Sequence, residues 1–352
     1  MFHSYHLPTY NNANVKKVGK QTVRALVIRS GIKRPFSPID RSIMRGMRQL
    51  NVKVAAISPG KGLNERITAT IRNQKPDFIF VLMGWRLTKR NVLCLKRVRN
   101  IPKMIWFTDD PYYLDWSRTV GRYFDIVFTN ESCAVPVYRQ NGCSRVYHMP
   151  LGVDPEDFFP REEVPERFRS DVLVLGTAFR NRLAFIERLL PHLSSNHVRL
   201  VGPGWDQLRI SNQKKAIVYT KWVSLEEANA YYNGAHIVLN IHRSPRDEYL
   251  KLNRGNVPAN TPNNRTFEVA ACGAFQLVED RPDLTQLYAS QAKIPTFRTP
   301  YECLNLIRYF LPREKKRKEI AASVYQYTLS SHQYIHRLQD VLAIISEESR
   351  SS

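Results

Sequence analysis

The chain has 352 residues, 43% of them apolar, with 15 Gly, 21 Pro and no low-complexity tract, which excludes disorder and fibrous structure. Lys and Arg number 53 against 31 Asp and Glu, a formal net charge of +22, so its field attracts phosphates, acidic polymers or an anionic membrane face. No apolar run approaches the roughly 18 residues of a membrane span, and the start, MFHSYHLPTYNNANVKK, lacks the apolar core of a signal peptide; a soluble, cytoplasmic protein is expected.

The charge is concentrated early: residues 1–150 hold 26 Lys and Arg against 8 Asp and Glu, a net +18, which leaves +4 for the rest. Along this half, short β-rich apolar runs alternate with amphipathic stretches. They are TVRALVIRS (22–30), a helix over 37–50, VKVAAIS (52–58), a helix over 64–74, DFIFVLMGW (77–85), a basic helix over 88–98, KMIWFTDD (103–110), IVFTN (126–130) and RVYHMPLG (145–152). Runs that are apolar on both faces and separated by helices predict parallel strands covered on both sides. A proline- and acid-rich stretch, GVDPEDFFPREEVPERFRSD, reads as an interdomain connection.

The pattern then restarts with DVLVLG (171–176), a helix over 181–193, HVRLVGPG (197–204), AIVYTKW (216–222), IVLNIHR (237–243) and AFQLVE (274–279). Ser224 followed three residues later by Glu227 predicts a capping box. After Pro312 the chain turns to basic helix, and Tyr334, Leu338, Val341, Leu342 and Ile345 form an apolar stripe that needs a large surface to cover it. The fold class is α/β: two Rossmann-like, doubly wound parallel-sheet domains facing a central cleft. The five cysteines form no metal-ligand or disulfide spacing, so they read as reduced, with no metal site implied.

Open parallel sheets bind ligands beyond the carboxyl ends of their strands, because helix N-termini and free loop amides converge there. In the first domain those ends carry Gly31, Gly84, Trp85, Asp109, Asp110 and Asn130; in the second, Gly176, Gly204, Trp205, Trp222, His242 and the run Asn263, Asn264, Arg265, Thr266, Phe267, Glu268. The second set has the chemistry of a nucleoside diphosphate site. Gly176 and Gly204 admit phosphate to backbone amides, while Arg180, Arg182 and Arg265 offer planar guanidinium forks. Glu268 suits ribose hydroxyls, and Trp205 or Trp222 suits a base. His242 also reads as a satisfied strand-end histidine. Asp109 and Asp110 are the candidates for taking a proton; Asp110-Pro111 also reads as a turn or helix cap, and a divalent-ion site at the pair is disfavoured by the parallel two-domain pattern. The Gly-x-Gly-x-x-Gly turn, the P-loop and the Gly-x-Ser-x-Gly elbow are all missing, which disfavours dinucleotide oxidoreductases, P-loop NTPases and serine hydrolases.

MPLGVDPEDFFP resembles the interdomain signature of GT-B glycosyltransferases, and FEVAACGAFQLVED their donor-site helix and strand. More closely, WFTDDPYY, FDIVFTN, LNIHR and NNRTFEVAACGAFQLVE together resemble the CgeB/YkvP group of spore-maturation glycosyltransferase-like proteins, from about Asp77 onward. The resemblance implies an acceptor-side domain (1–152), a linker (153–170), a donor domain (171–329) and a final helix (330–352) crossing back to the first domain. It implies metal-independent sugar transfer from a nucleotide-diphosphate sugar, a UDP-sugar first among the candidates, to a glycan, protein or anionic polymer. No obligatory cofactor follows, and cytoplasmic, mother-cell or spore-associated placement does. By this likeness Glu268 holds the ribose, Arg180 or Arg182 with Arg265 the diphosphate, and 219–224 the base. Gly31, Gly84, Trp85 and Asn130 fall on the acceptor side. Retaining relatives carry a second glutamate eight positions before Glu268, where this chain has Asn260. The alternative is a catalytically silent coat or polyanion-binding protein; a DNA reader is not expected, for no helix-turn-helix, zinc finger or RNA-recognition motif occurs.

Overall fold

The computed structural model describes residues 22–33, 36–209, 216–246, 250–288 and 292–351. The opening stretch weighed above as a leader lies outside them. Among the described residues no helix is long and apolar enough to cross a membrane.

Two units emerge, each built on one six-stranded parallel sheet. The strands of the first are β1 (Arg24–Ile28), β2 (Lys53–Ile57), β3 (Phe78–Leu82), β4 (Lys103–Phe107), β5 (Ile126–Thr129) and β6 (Val146–His148), in the order β2-β1-β3-β4-β5-β6. Helices α1 (Ser37–Gln49), α2 (Leu63–Gln74), α3 (Lys89–Arg97), α4 (Leu114–Gly121) and α5 (Val135–Gln140) connect them. β3 reads FIFVL with every residue buried, and a strand with no polar face has to be covered on both sides. Phe78, Phe80, Trp106 and Phe128 pack on one face with Ile43 and Met47 of α1. Ile79, Val81, Ile105 and Val127 take the other, under Leu63 and Ile67 of α2 and Val92 and Leu95 of α3.

The second unit carries β7 (Ser170–Leu175), β8 (Val198–Val201), β9 (Ile217–Tyr219), β10 (Ala235–Asn240), β11 (Gln276–Glu279) and β12 (Thr296–Phe297), ordered β12-β11-β10-β7-β8-β9. Its helices are α6 (Arg180–Leu189), α7 (Leu225–Gly234), α8 (Asn264–Ala271), α9 (Leu284–Leu287), α10 (Pro300–Phe310) and α11 (Glu314–Ser331). The strand order reverses between β7 and β10, which pair directly through Ile237 and Val172. Two helices leaving in opposite directions open a crevice at such a point. The capping box at Ser224 forms: its Oγ accepts from the Glu227 N–H at 3.1 Å, and the Glu227 carboxylate accepts from the Ser224 N–H at 2.8 Å.

Three segments differ from the expected boundaries. The stretch 153–170 is a strap on the second unit: Phe158 and Phe168 are buried in its core, and Arg161 donates to Asn229 and Asn233 at 2.6 and 2.7 Å. Residues 245–259, read as part of the second domain, join the first unit, where the Asp115 N–H donates to the Leu252 carbonyl and the Asp115 carboxylate accepts from Arg254. The last helix, α12 (Tyr334–Ser351), belongs to the first unit, the unit the resemblance implied, with its boundary at Tyr334 rather than at residue 330. It sets Tyr334, Leu338, Val341 and Ile345 against the α1 face of the sheet, and Leu338 fits where α1 has only Gly46, whose absent Cβ would lie 2.7 Å from the leucine methyl.

Candidate functional site

The reversal between β7 and β10 gathers the groups with free chemistry in the second unit. β7 ends at Gly176, at φ +134°, with its N–H on the Val201 carbonyl at 2.7 Å. A Cβ here would lie 2.7 Å from the Arg265 guanidinium, which therefore rests on the bare glycine backbone. Gly202, ending β8 at φ +129°, is pressed against the same turn: a Cβ on it would meet the Gly176 carbonyl oxygen at 2.5 Å. Only glycine satisfies both the dihedral and the contact at these two turns.

β10 ends in Asn240, whose amide exchanges hydrogen bonds with Asn263 at 3.0 and 2.9 Å and donates to Thr266 Oγ1 at 2.9 Å. Asn263 is the N-cap of α8, and because its amide is spent on Asn240 no side chain caps that helix. α6 likewise starts without a side-chain cap. Two helix N-termini thus keep amides and positive dipole ends for an anion. Among the described residues none hydrogen-bonds the Arg265 guanidinium between them.

One turn into α8, Glu268 accepts from the Asn264 amide and, at 3.4 Å, from the Tyr232 hydroxyl. Burial lifts its pKa from the ordinary 4.5 to about 7, against the opposing pull of Arg265, Asn264 and Tyr232. Just past β10, the His242 backbone N–H donates to Glu279 at 2.7 Å and its carbonyl accepts from Asn181 at 2.8 Å. The ring is buried, and Nε2 has no hydrogen-bond partner among the described residues. Burial, reinforced by the charges of Arg281, Arg182 and Arg265, holds its pKa well below the usual value, so the imidazole is neutral at physiological pH.

Several residues expected to touch a ligand serve the scaffold instead. Trp205 is buried in the core and donates from Nε1 to the Gly176 carbonyl at 2.9 Å, so it fixes the glycine turn rather than stacking on a base. Arg182 is buried and donates to the carbonyls of Ile241 and Thr177 at 2.8 and 2.7 Å. Phe267 stacks in the core on Tyr288, and Thr266 is fully buried against Asn240. Gly204, at φ +88°, starts the short turn that seats Trp205. Arg180 is exposed at the start of α6, and Trp222 is 45% exposed after β9. Tyr232, Asn181 and Arg281 carry no functional motif in the sequence, whereas Asn240 and Glu279 have a signal there, their places at the ends of β10 and β11.

In the first unit, Asp110 is buried and accepts hydroxyl hydrogen bonds from Tyr138, Thr129 and Ser117 at 2.6, 2.7 and 2.8 Å. A carboxylate so engaged anchors the end of β4 to β5, α4 and α5, and burial raises its pKa above the usual value. The Asn130 amide is spent on both sides of the Asp110 backbone, at 2.9 and 3.2 Å, and Trp85 sits between Phe36 and Tyr113. Asp109 is half-buried, Gly31 is exposed, and Gly84 follows β3 at φ +76°. Among the described residues no three His, Cys, Asp or Glu side chains cluster as metal ligands.

Across 94% of this chain, the structure superposes on all of sucrose-phosphate synthase from Thermosynechococcus elongatus with a TM-score of 0.66 and 12% identity. Across 92% it matches all of HepE from Anabaena, solved in complex with UDP and glucose, at a TM-score of 0.65 and 12% identity. Its fold is GT-B. Residues 180–343 match the family model described as glycosyl transferase-like. Over 208 residues the chain is 33% identical to the spore protein CgeB of Bacillus subtilis (strain 168), an alignment spanning 58% of this chain and 64% of CgeB, so just under two thirds of that relative is covered. Over that stretch the chain is similar in sequence to CgeB, and its architecture is GT-B.

Proposed function

We propose that this GT-B chain transfers a sugar from a nucleoside diphosphate sugar, with the second unit as the donor half. The observation that carries the reading is the coincidence, at one topological switch point, of the Arg265 guanidinium over Gly176, without a hydrogen bond among the described residues, two helix starts without side-chain caps and the Glu268 carboxylate. HepE, a structural neighbour, was solved with UDP and glucose, which supports a UDP-sugar as the first donor to test.

Glu268 in its ionised form accepts from the ribose hydroxyls. Arg265, with Arg180 and the amides opening α6 and α8, takes the diphosphate, and exposed Trp222 lies in the stretch that frames the base. Cleavage of the sugar–phosphate bond builds negative charge on the leaving diphosphate, and fixed cations and amides that meet that charge lower the barrier. With the countercharge supplied by side chains, turnover is expected to survive a chelator. His242, neutral and with Nε2 lacking a hydrogen-bond partner among the described residues, offers that nitrogen to the bound donor. On the acceptor side, Asp109 takes the proton, with Gly31, Gly84, Trp85 and Asn130 as the other acceptor-side residues and buried Asp110 as the anchor next to it in the chain. Likeness to CgeB supports a spore-surface acceptor and a mother-cell or spore location.

The test is thermal denaturation with UDP, GDP, dTDP and CDP and their sugars. One of them is expected to raise the melting temperature, and Arg265→Ala and Glu268→Ala to weaken that ligand by about tenfold to a hundredfold, the worth of a charge-assisted hydrogen bond. No shift with any nucleotide would overturn the reading. Binding without release of free nucleotide would favour a silent binder, with Asn260, in the place of a second glutamate, the residue to restore.

A further inference from the structure

The basic excess of the first unit has a local focus. Residues 78–108 carry seven Lys and Arg and no Asp or Glu, and they include all of α3. Between α2 and α3 runs a groove of about 800 Å³. Its floor is apolar, from half-buried Leu93, Cys94 and Val98, and its rim carries exposed Lys89, Arg90 and Arg97. Among the described residues no carboxylate pairs with these three cations. The two helices are tied together across the groove by the Asn91 amide donating to Asn64 at 2.8 Å, and the Thr88 capping box fixes the start of α3.

We propose that this groove docks an extended acidic segment of a protein partner, carboxylates on the rim and apolar side chains on the floor. Arg90 and Arg97 are two turns apart on one face, about 10 Å along the axis at the helical rise. That separation matches about three residues of extended chain. Guanidinium forks pair with carboxylates in two parallel hydrogen bonds. The concavity argues against a bilayer, whose flat surface meets the rim and leaves the floor uncovered. Among the described residues no aromatic side chain lines the groove, so unpaired bases have nothing to stack on. The groove is independent of the donor site, so its occupancy and nucleotide binding are measured separately.

The experiment is fluorescence anisotropy of the full chain with a fluorescein-labelled peptide of Asp, Glu and Val. Saturable binding is expected, weakening as salt shortens the Debye length from ~8 to ~3 Å. Arg90→Glu with Arg97→Glu is expected to lower affinity about tenfold or more, while Arg41→Glu with Arg48→Glu, the same charge change on exposed α1 positions, costs less than about threefold. In the unaltered protein, the peptide is expected to slow alkylation of Cys94 and leave that of Cys133 unchanged. Absence of binding, equal losses in the two double variants, unprotected Cys94, or stronger binding to phosphatidylglycerol vesicles than to the peptide would each overturn the proposal.

Discussion

At residue scale the unusual group is Glu268, a carboxyl that the fold makes expensive to ionise. Its pKa is raised from 4.5 to about 7, so the folded chain holds this proton more tightly than the unfolded chain does. The stability contributed by that proton is fully present below 4.5 and is lost as pH rises through the folded value near 7. Glu268→Gln removes the ionisation cost and keeps an acceptor for Asn264. The variant is therefore expected to melt with the parent near pH 4 and several degrees above it at pH 8, at roughly 2–4 °C for each kcal/mol recovered. Melting curves across pH check this, and identical curves for the two chains at pH 8 would contradict it. The same carboxylate becomes worth its cost on meeting hydroxyl donors, as binding sites that trade stability for function do. Residue types and strand-end positions made Glu268 and Arg265 legible in the sequence. They did not separate Arg265 from Arg182: both are arginines opening helices, and only packing shows that one is spent on carbonyls and the other is not.

At element scale the site depends on two glycine turns in contact. Alanine at position 202 meets the Gly176 carbonyl carbon and oxygen, which are backbone and unable to swing aside, at a dihedral that L-residues rarely adopt. Gly202→Ala is therefore expected to cost on the order of 2–4 kcal/mol in urea denaturation, combining strain with backbone displacement. Gly176→Ala meets instead the far end of the Arg265 side chain, which moves more cheaply. Its expected signature is loss of nucleotide-induced stabilisation out of proportion to the loss of stability, read from melting curves with and without ligand. A Gly176→Ala chain that binds nucleotide as the parent does would detach Arg265 from the diphosphate role. Trp205 belongs to the same scale. An aromatic next to Gly204 looks like a stacking platform in sequence, but the indole sits under the turn, because a large side chain following a strand end gains more from burial than from exposure.

For the whole molecule, the chain order and the spatial order part company. The first unit collects residues from three separated stretches, and its α1 face is completed by the last helix of the chain. Leu338→Ala, at a position 1% exposed and fitted to Gly46, is expected to cost about 2–5 kcal/mol, the range for a buried leucine truncated to a cavity. Denaturation of the full chain checks this, and a loss near zero would mean that α12 is not part of that core. The alternation of apolar runs with helices, on both sides of a proline- and acid-rich stretch, determined by itself that there are two parallel α/β sheets, because period and burial are local properties of side chains. The apolar stripe from Tyr334 to Ile345 likewise announced that the final helix needed cover. The return of residues 245–259 to the first unit, the burial of Trp205, Arg182 and Asp110, and the lack of a hydrogen bond to the Arg265 guanidinium among the described residues were decided only by the tertiary structure. Those outcomes depend on which groups far apart in the chain come within hydrogen-bonding distance, and no local period or propensity encodes that.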